Sequence, residues 1–189
     1  MQAAPPVCRQ QDRAAGMTET VFGGRGVHAF WGKTDMQIAD ILDAESVLPA
    51  VQAGSKKQLL QVLAGHAAQR TGLDERLIFD TLMQREKLGS TGLGGGIAIP
   101  HGRFPGLDRV RGLFARLARP VDFEAPDHQP VDIVFLLLAP EGAGADHLKA
   151  LARVSRLLRN AELVDKLRGT RDVDVLYALI TEEAPPRAA

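Results

Sequence analysis

The sequence has almost no cysteine. Cys8 stands alone among 189 residues, so no disulfide closes within the chain and nothing calls for an oxidising compartment. Net charge is missing as well, because 23 basic side chains balance 23 acidic ones. That argues against a nucleic-acid binder working through a broad basic face, since such binding rests on neutralising phosphates. Long apolar runs are lacking. The longest, Ile133 to Ala139, has the length of a strand and falls far short of the roughly 18 residues that a membrane helix needs. The first residues show neither the charged start nor the apolar core of a signal peptide. A cytoplasmic location without membrane insertion is expected. The five histidines form no HxxxH pair and there is no CxxC, so no metal site is expected. Gly92 to Gly96 lacks the Lys-Ser/Thr ending of a nucleotide P-loop, and no cofactor is expected.

What is present is the make-up of an ordinary globular protein, with 45% apolar and 24% charged residues. The length suits one domain and an appendage. Residues 1–35 carry Pro5-Pro6, Gly23-Gly24 and Gly26 with no lasting period, and are expected to form a disordered leader. Met36 directly precedes the first amphipathic pattern, which makes it a candidate start. The domain is expected over 36–182, with a polar, proline-containing tail over 183–189.

Within the domain, Met36 to Leu48 reads as a short helix or turn and then an extended piece. Ser55-Lys56-Lys57-Gln58 is a capping-box pattern that opens a helix with Leu59, Leu60, Leu63 and Ala67 on one face, ending near Thr71-Gly72. Asp74 caps a second helix to about Lys87. A short strand is expected at Ile97 to Ile99. Val110 to Arg119 alternates, with Leu113, Ala115 and Leu117 on one face, which predicts a strand with its other face partly exposed. Val131 to Ala139 is almost wholly apolar, Asp132 apart, and reads as a central strand covered on both faces. Asp146 is expected to cap a helix to about Arg159, with Leu148, Leu151, Val154, Leu157 and Leu158 inside. Asn160 opens another helix, and Asp172 to Ile180 the last. Mixed helices and strands predict an α/β fold, a small mixed central sheet flanked by helices on both faces.

The chemistry concentrates between Arg85 and Arg103. Gly89, Gly92, Gly94, Gly95 and Gly96 lead into Ile97-Ala98-Ile99-Pro100-His101-Gly102-Arg103. Proline fixes its own φ and biases Ile99 toward an extended shape, so His101 is held on stiff backbone, and Gly102 lets the chain turn or approach a ligand closely. A neutral imidazole is a good nucleophile near pH 7, and its attack on a phosphoryl donor gives an N-phosphohistidine. Such a site needs cations or N–H groups around the phosphoryl oxygens. Arg85, Arg103 and the backbone around the glycines are the local candidates, and Gly102, Ser90 and Thr91 lie within the same stretch. Arg85, seven residues after Ile78 and three after Leu82, falls on the inward side of its helix end. It reads either as a phosphoryl partner or as a cation complementing the helix dipole. His147 shares a helical stripe with Leu151, Val154 and Leu158. It is either a second imidazole at the site or an edge-of-core histidine. His66 reads as an edge-of-core residue, His128 as a loop residue and His28 as part of the leader.

The run from Arg85 to Arg103 closely resembles the active-site signature of the bacterial mannitol/fructose-class enzyme IIA domains of the phosphotransferase system. An acidic residue (Glu86), six positions, an apolar residue and glycine (Leu93-Gly94), two positions and then Ile97-Ala98-Ile99-Pro100-His101-Gly102 are all present. Gln129 to Phe135 is similar to the family's central strand, and the helix with His147 to the family's second-histidine segment. Gly89-Ser90-Thr91-Gly92, with no attached transporter domain, looks most like the nitrogen-regulatory branch. The resemblance implies an α/β sandwich with a mixed sheet. It implies that His101 accepts a phosphoryl group from a histidine phosphocarrier protein (HPr- or NPr-like), as tele-phosphohistidine. It implies that His147 and Arg85 assist, that Arg103, Gly102, Ser90 and Thr91 border the group, and that regulatory targets such as kinases or transporters respond to the phosphorylation state. A sugar-specific (fructose- or mannitol-type) IIA handing phosphoryl to a IIB partner is the alternative in the same chemical class. A non-catalytic regulatory binding module is the alternative of another class.

Overall fold

The computed structural model describes residues 36–182. The expected leader over 1–35, with His28, and the tail over 183–189 lie outside the described residues. The chain enters through two single-turn 3-10 helices, Ile38–Asp40 and Ala44–Ser46. Strand β1 (Val47–Val51) follows, then helices α1 (Lys56–Thr71) and α2 (Glu75–Lys87). Ser55 caps α1 by accepting from Gln58 N, and Gly72 ends it in the left-handed conformation, φ 72°. Asp74 caps α2 through Leu77 N.

The glycine stretch forms a hairpin, β2 (Gly92–Gly94) against β3 (Ile97–Ala98). Its two-residue turn is Gly95-Gly96, with φ 62° and 79°. A turn with two positive φ values matches the twist of paired strands and favours glycine at both places. Strand β4 (His101–Phe104) comes next, then β5 (Arg111–Val121) and β6 (Val131–Pro140). Helices α3 (Gly144–Leu158), α4 (Ala161–Gly169) and α5 (Val173–Thr181) complete the domain.

The six strands form one mixed sheet in the order β1-β5-β6-β3-β2, and β4 also pairs with β6. Both β3 and β4 run parallel to β6, at Ile97↔Ile133 and His101↔Leu137. They are successive pieces of one edge, broken at Ile99-Pro100. Strand β6 is covered on both faces as expected. Ile133, Phe135, Leu137 and Ala139 join a core with α3, α4 and α5. Val134, Leu136 and Leu138 join a second core with α1 and α2.

Three expectations are corrected. Strand β5 is more deeply covered than expected, its other face being exposed only in the second half. Phe114, opposite in face to Leu113 and Ala115, is wholly buried in the α5-side core, while Arg116 is partly and Ala118 fully exposed. Helix α3 starts at Gly144 on the uncapped Ala143, so Asp146 lies in its first turn, where its charge complements the dipole. Leu148 faces outward, 62% exposed, whereas His147 and Ala150 face inside. Among the described residues no helix is long and apolar enough to cross a membrane.

Candidate active site

His101 opens β4, beside Leu137 near the carboxyl end of β6. Only three residues separate the end of β6 from α3, whose inward stripe carries His147. Parallel pairing thus delivers both histidines to one end of the sheet, the end where α/β folds place their ligands. The two rings stand edge to face, centroids 5.5 Å apart with an interplanar angle of 67°. Arg85 arrives from the last turn of α2. Its Nε–H donates to His101 Nε2 at 3.0 Å, and its Nη1 donates to the Gly89 carbonyl at 3.0 Å.

The opposite ring nitrogen is also fixed. His101 Nδ1 lies 2.8 Å from the Ile99 carbonyl oxygen. A carbonyl only accepts, so Nδ1 carries the proton and Nε2 holds the lone pair. Burial, and the cationic Arg85 after it, hold the His101 pKa below the ordinary histidine value, while the bond to Ile99 opposes them. Burial likewise lowers His147, helped by His101 and by Arg103. His147 is only 6% exposed and its Nδ1 has no hydrogen-bond partner among the described residues. Near neutral pH the site is therefore a pair of uncharged imidazoles with an arginine on the Nε2 lone pair of His101.

The remaining expected residues divide. Arg103 is exposed on β4, close enough for its charge to act on His147. Gly102 is not at a turn. It lies within β4, where an added Cβ would meet the Phe104 ring at 2.9 Å and Thr81 Cγ2 at 3.1 Å, so its missing side chain lets α2 close on the strand. Ser90 and Thr91 turn their hydroxyls to other partners. Ser90 Oγ donates to the Phe123 carbonyl at 3.0 Å, and Thr91 Oγ1 to Glu86 Oε2 at 2.6 Å. The glycine backbone is similarly occupied, with Gly95 N donating to Asp127 Oδ2 at 2.7 Å. That bond, with one to Gln129 N, holds the Asp127 carboxyl below its usual range. His66 is half-buried and His128 is exposed in its loop at φ 57°.

Residues that the sequence left without a role also hold the hairpin. Arg168, in the last turn of α4, grips Asp132 through two 2.8 Å bonds and the Gly95 carbonyl through a third at 2.7 Å. An Arg and an Asp 36 positions apart leave no local periodic signal of this contact.

Comparison with known proteins gives one consistent answer. The family described as "Phosphoenolpyruvate-dependent sugar phosphotransferase system, EIIA 2" matches residues 40–183. A "Nitrogen regulatory protein" of Bradyrhizobium diazoefficiens is 57% identical over 154 residues, covering 82% of this chain and 99% of that protein. The crystal structure of nitrogen regulatory protein IIA-Ntr from Neisseria meningitidis superposes with a TM-score of 0.73 at 36% identity, over 76% of this chain and 99% of that one. IIA mannitol from Escherichia coli shares the fold, with a TM-score of 0.61 at 22% identity over 73% and 97% of the two chains.

Proposed function

The chain belongs to the EIIA 2 family of the phosphoenolpyruvate-dependent sugar phosphotransferase system, whose members are phosphotransfer components, and from that premise we propose that it is a cytoplasmic nitrogen-regulatory IIA protein. His101 accepts a phosphoryl group from a histidine phosphocarrier protein. The phosphorylation state then changes its binding to regulatory targets. The nitrogen-regulatory relatives favour this branch over a sugar-specific one.

The observation that carries the assignment is the tautomer. With Nδ1–H tied to the Ile99 carbonyl, the lone pair sits on Nε2, the far nitrogen, which faces Arg85. In the transfer step the Nε2–P bond forms as the carrier's N–P bond breaks, and the pair of electrons in that bond returns to the carrier's imidazole. Nδ1 keeps its proton, so the positive charge of the phosphorylated ring is met by the Ile99 carbonyl. In the free protein the Arg85 Nε–H occupies the lone pair that must attack. Arg85 therefore moves from Nε2 to the incoming phosphoryl oxygens, where a guanidinium is worth more than on a neutral nitrogen. His147, uncharged and buried, closes the other side of the ring without drawing a proton from it. Incubation with phosphoenolpyruvate, enzyme I and an HPr-like carrier should give an acid-labile, alkali-stable label that His101→Ala abolishes. Label persisting on that variant would sink the assignment.

A further inference from the structure

Glu86 adjoins Arg85 in the chain and points the other way. It is only 8% exposed, a placement that a carboxylate tolerates only when it is paired. Its partners are unusually complete. Thr91 N–H donates to both carboxylate oxygens, at 3.0 and 3.2 Å, and Thr91 Oγ1–H to Oε2 at 2.6 Å. Lys56 Nζ lies 2.8 Å from Oε1. Lys56 is itself held by Glu124 at 2.8 Å and stands over the Phe123 ring, 4.9 Å from its centroid. It opens helix α1, where the helix dipole disfavours a cation. Its place there follows from the pairing with Glu86 and Glu124.

The network leads to the nucleophile. The Thr91 carbonyl accepts from Ile99 N at 3.0 Å. The Ile99 carbonyl accepts from His101 Nδ1 at 2.8 Å. On the other side, the same α2 turn that carries Glu86 carries Arg85, whose Nε–H meets His101 Nε2. Both nitrogens of the imidazole are therefore held by groups that one carboxylate anchors, one through Thr91 and Ile99 and the other through the helix end.

We infer that Glu86 is the positioning residue for His101, a buried carboxylate bridging Lys56 and Thr91 that fixes the ring's tautomer and aims Nε2. This rests on His101 being the phosphoryl acceptor, and it adds a requirement that acceptance alone does not make. Glu86 touches no phosphoryl group. It acts through Thr91, Ile99 and Arg85.

The test uses the full chain with Glu86→Gln and Thr91→Val, each checked for folding by circular dichroism. A glutamine presents an NH2 to donors that need an acceptor, and the valine removes only the hydroxyl donor. Two readouts are taken. The first is long-range proton–nitrogen NMR of the imidazole rings in mildly alkaline buffer, without any phosphoryl donor. Wild type should show His101 as a single Nδ1–H tautomer, and Glu86→Gln a mixture. The second is phosphoryl transfer from the phosphorylated carrier. A misaimed nucleophile should lower kcat by ~10- to ~100-fold. KM for the carrier should stay within ~2-fold, because no docking contact is lost. Thr91→Val should lose a smaller part of the rate, and Thr91→Ser should recover most of that part. An unchanged tautomer with unchanged kcat in folded Glu86→Gln would overturn the inference. So would a kcat loss with the Nδ1–H tautomer intact. If Glu86→Gln fails to fold, the Thr91→Val and Thr91→Ser pair decides, and equal rates in both overturn the inference. Were wild type itself not labelled, the acceptor assignment would fail, and the NMR comparison would still judge the positioning.

Discussion

Replacing Gly96 by alanine isolates what the hairpin clamp contributes. Two effects add at this position. Its φ is +79°, and a Cβ in left-handed backbone costs about 1 kcal/mol. That Cβ would also stand 2.5 Å from Arg168 Nη2 and 2.9 Å from Asp132 Oδ1, closer than atoms approach without bonding. The guanidinium must leave its two-pronged grip on Asp132. Those side chains are 34% and 24% exposed, so solvent returns part of the loss, and breaking the pair costs ~1 to ~2 kcal/mol. The sum is ~2 to ~3 kcal/mol, or a fall of ~5 to ~10 °C in Tm for a domain of this size. Urea unfolding followed by circular dichroism measures it, with the same substitution repeated in an Arg168→Ala background. There the guanidinium contact is gone and Asp132, released from its partner, is free to swing away from the Cβ, so mainly the backbone strain of about 1 kcal/mol should remain. A loss equal in both backgrounds would refute the clamp, and a loss below ~0.5 kcal/mol in wild type would refute the strain as well. Phosphoryl transfer at 25 °C should not change. Gly96 flanks Ile97, which pairs with Ile133, whereas His101 pairs with Leu137, about 13 Å along the strand at ~3.3 Å per residue.

Acid should weaken the fold through the site itself. His101 and His147 are both held below the ordinary value of 6.5, chiefly by burial, so the unfolded chain binds protons that the folded chain refuses. Stability is then full above about pH 6.5 and declines as pH falls below it toward the folded values. Urea midpoints between about pH 7.5 and about pH 5.5 should show this slope, and His147→Ala should flatten it. An equal slope in that variant would mean that other groups carry it. The turn of α3 is checked by a pair of truncations. Leu148→Ala should cost less than ~0.5 kcal/mol, because that side chain faces water. Val154→Ala, wholly buried, should cost ~2 kcal/mol by the same denaturation assay. The reverse order would restore the inward Leu148 that the sequence pattern suggests.

What could be seen in the sequence was what neighbouring residues decide among themselves. Ser55, Asp74, Asn160 and Asp172 each cap the helix that follows, and each is legible because a cap acts within three residues. The run Val131 to Ala139 announces a doubly covered strand by composition alone. Where packing between distant segments decides, the pattern misleads. An alternation of Leu113, Ala115 and Leu117 cannot reveal that Phe114 is covered by helices from the end of the chain. Helix α3 starts early because backbone bonds suffice there, and a search for a capping side chain passes over Ala143. The glycines read as a phosphate cradle or a spacer, and the structure makes those from Gly92 to Gly96 a hairpin in which the amide and carbonyl of Gly95 are taken.

The site shows the same division more sharply. His101, Arg85 and His147 are brought together, and each could be named because its residue type carries its chemistry openly. Glu86 could be named only as an acidic position in a resemblance. Its work lies in bonds to Thr91, five residues on, and to Lys56, thirty residues back. A histidine between proline and glycine advertises itself, whereas a carboxylate that reaches it through backbone atoms does not, because every residue has the same ones. Thr91 shows the consequence. Its hydroxyl, expected at the phosphoryl group, donates to Glu86 instead. Its carbonyl, invisible to any pattern of side chains, takes the Ile99 N–H, and the Ile99 carbonyl in turn takes Nδ1 of His101.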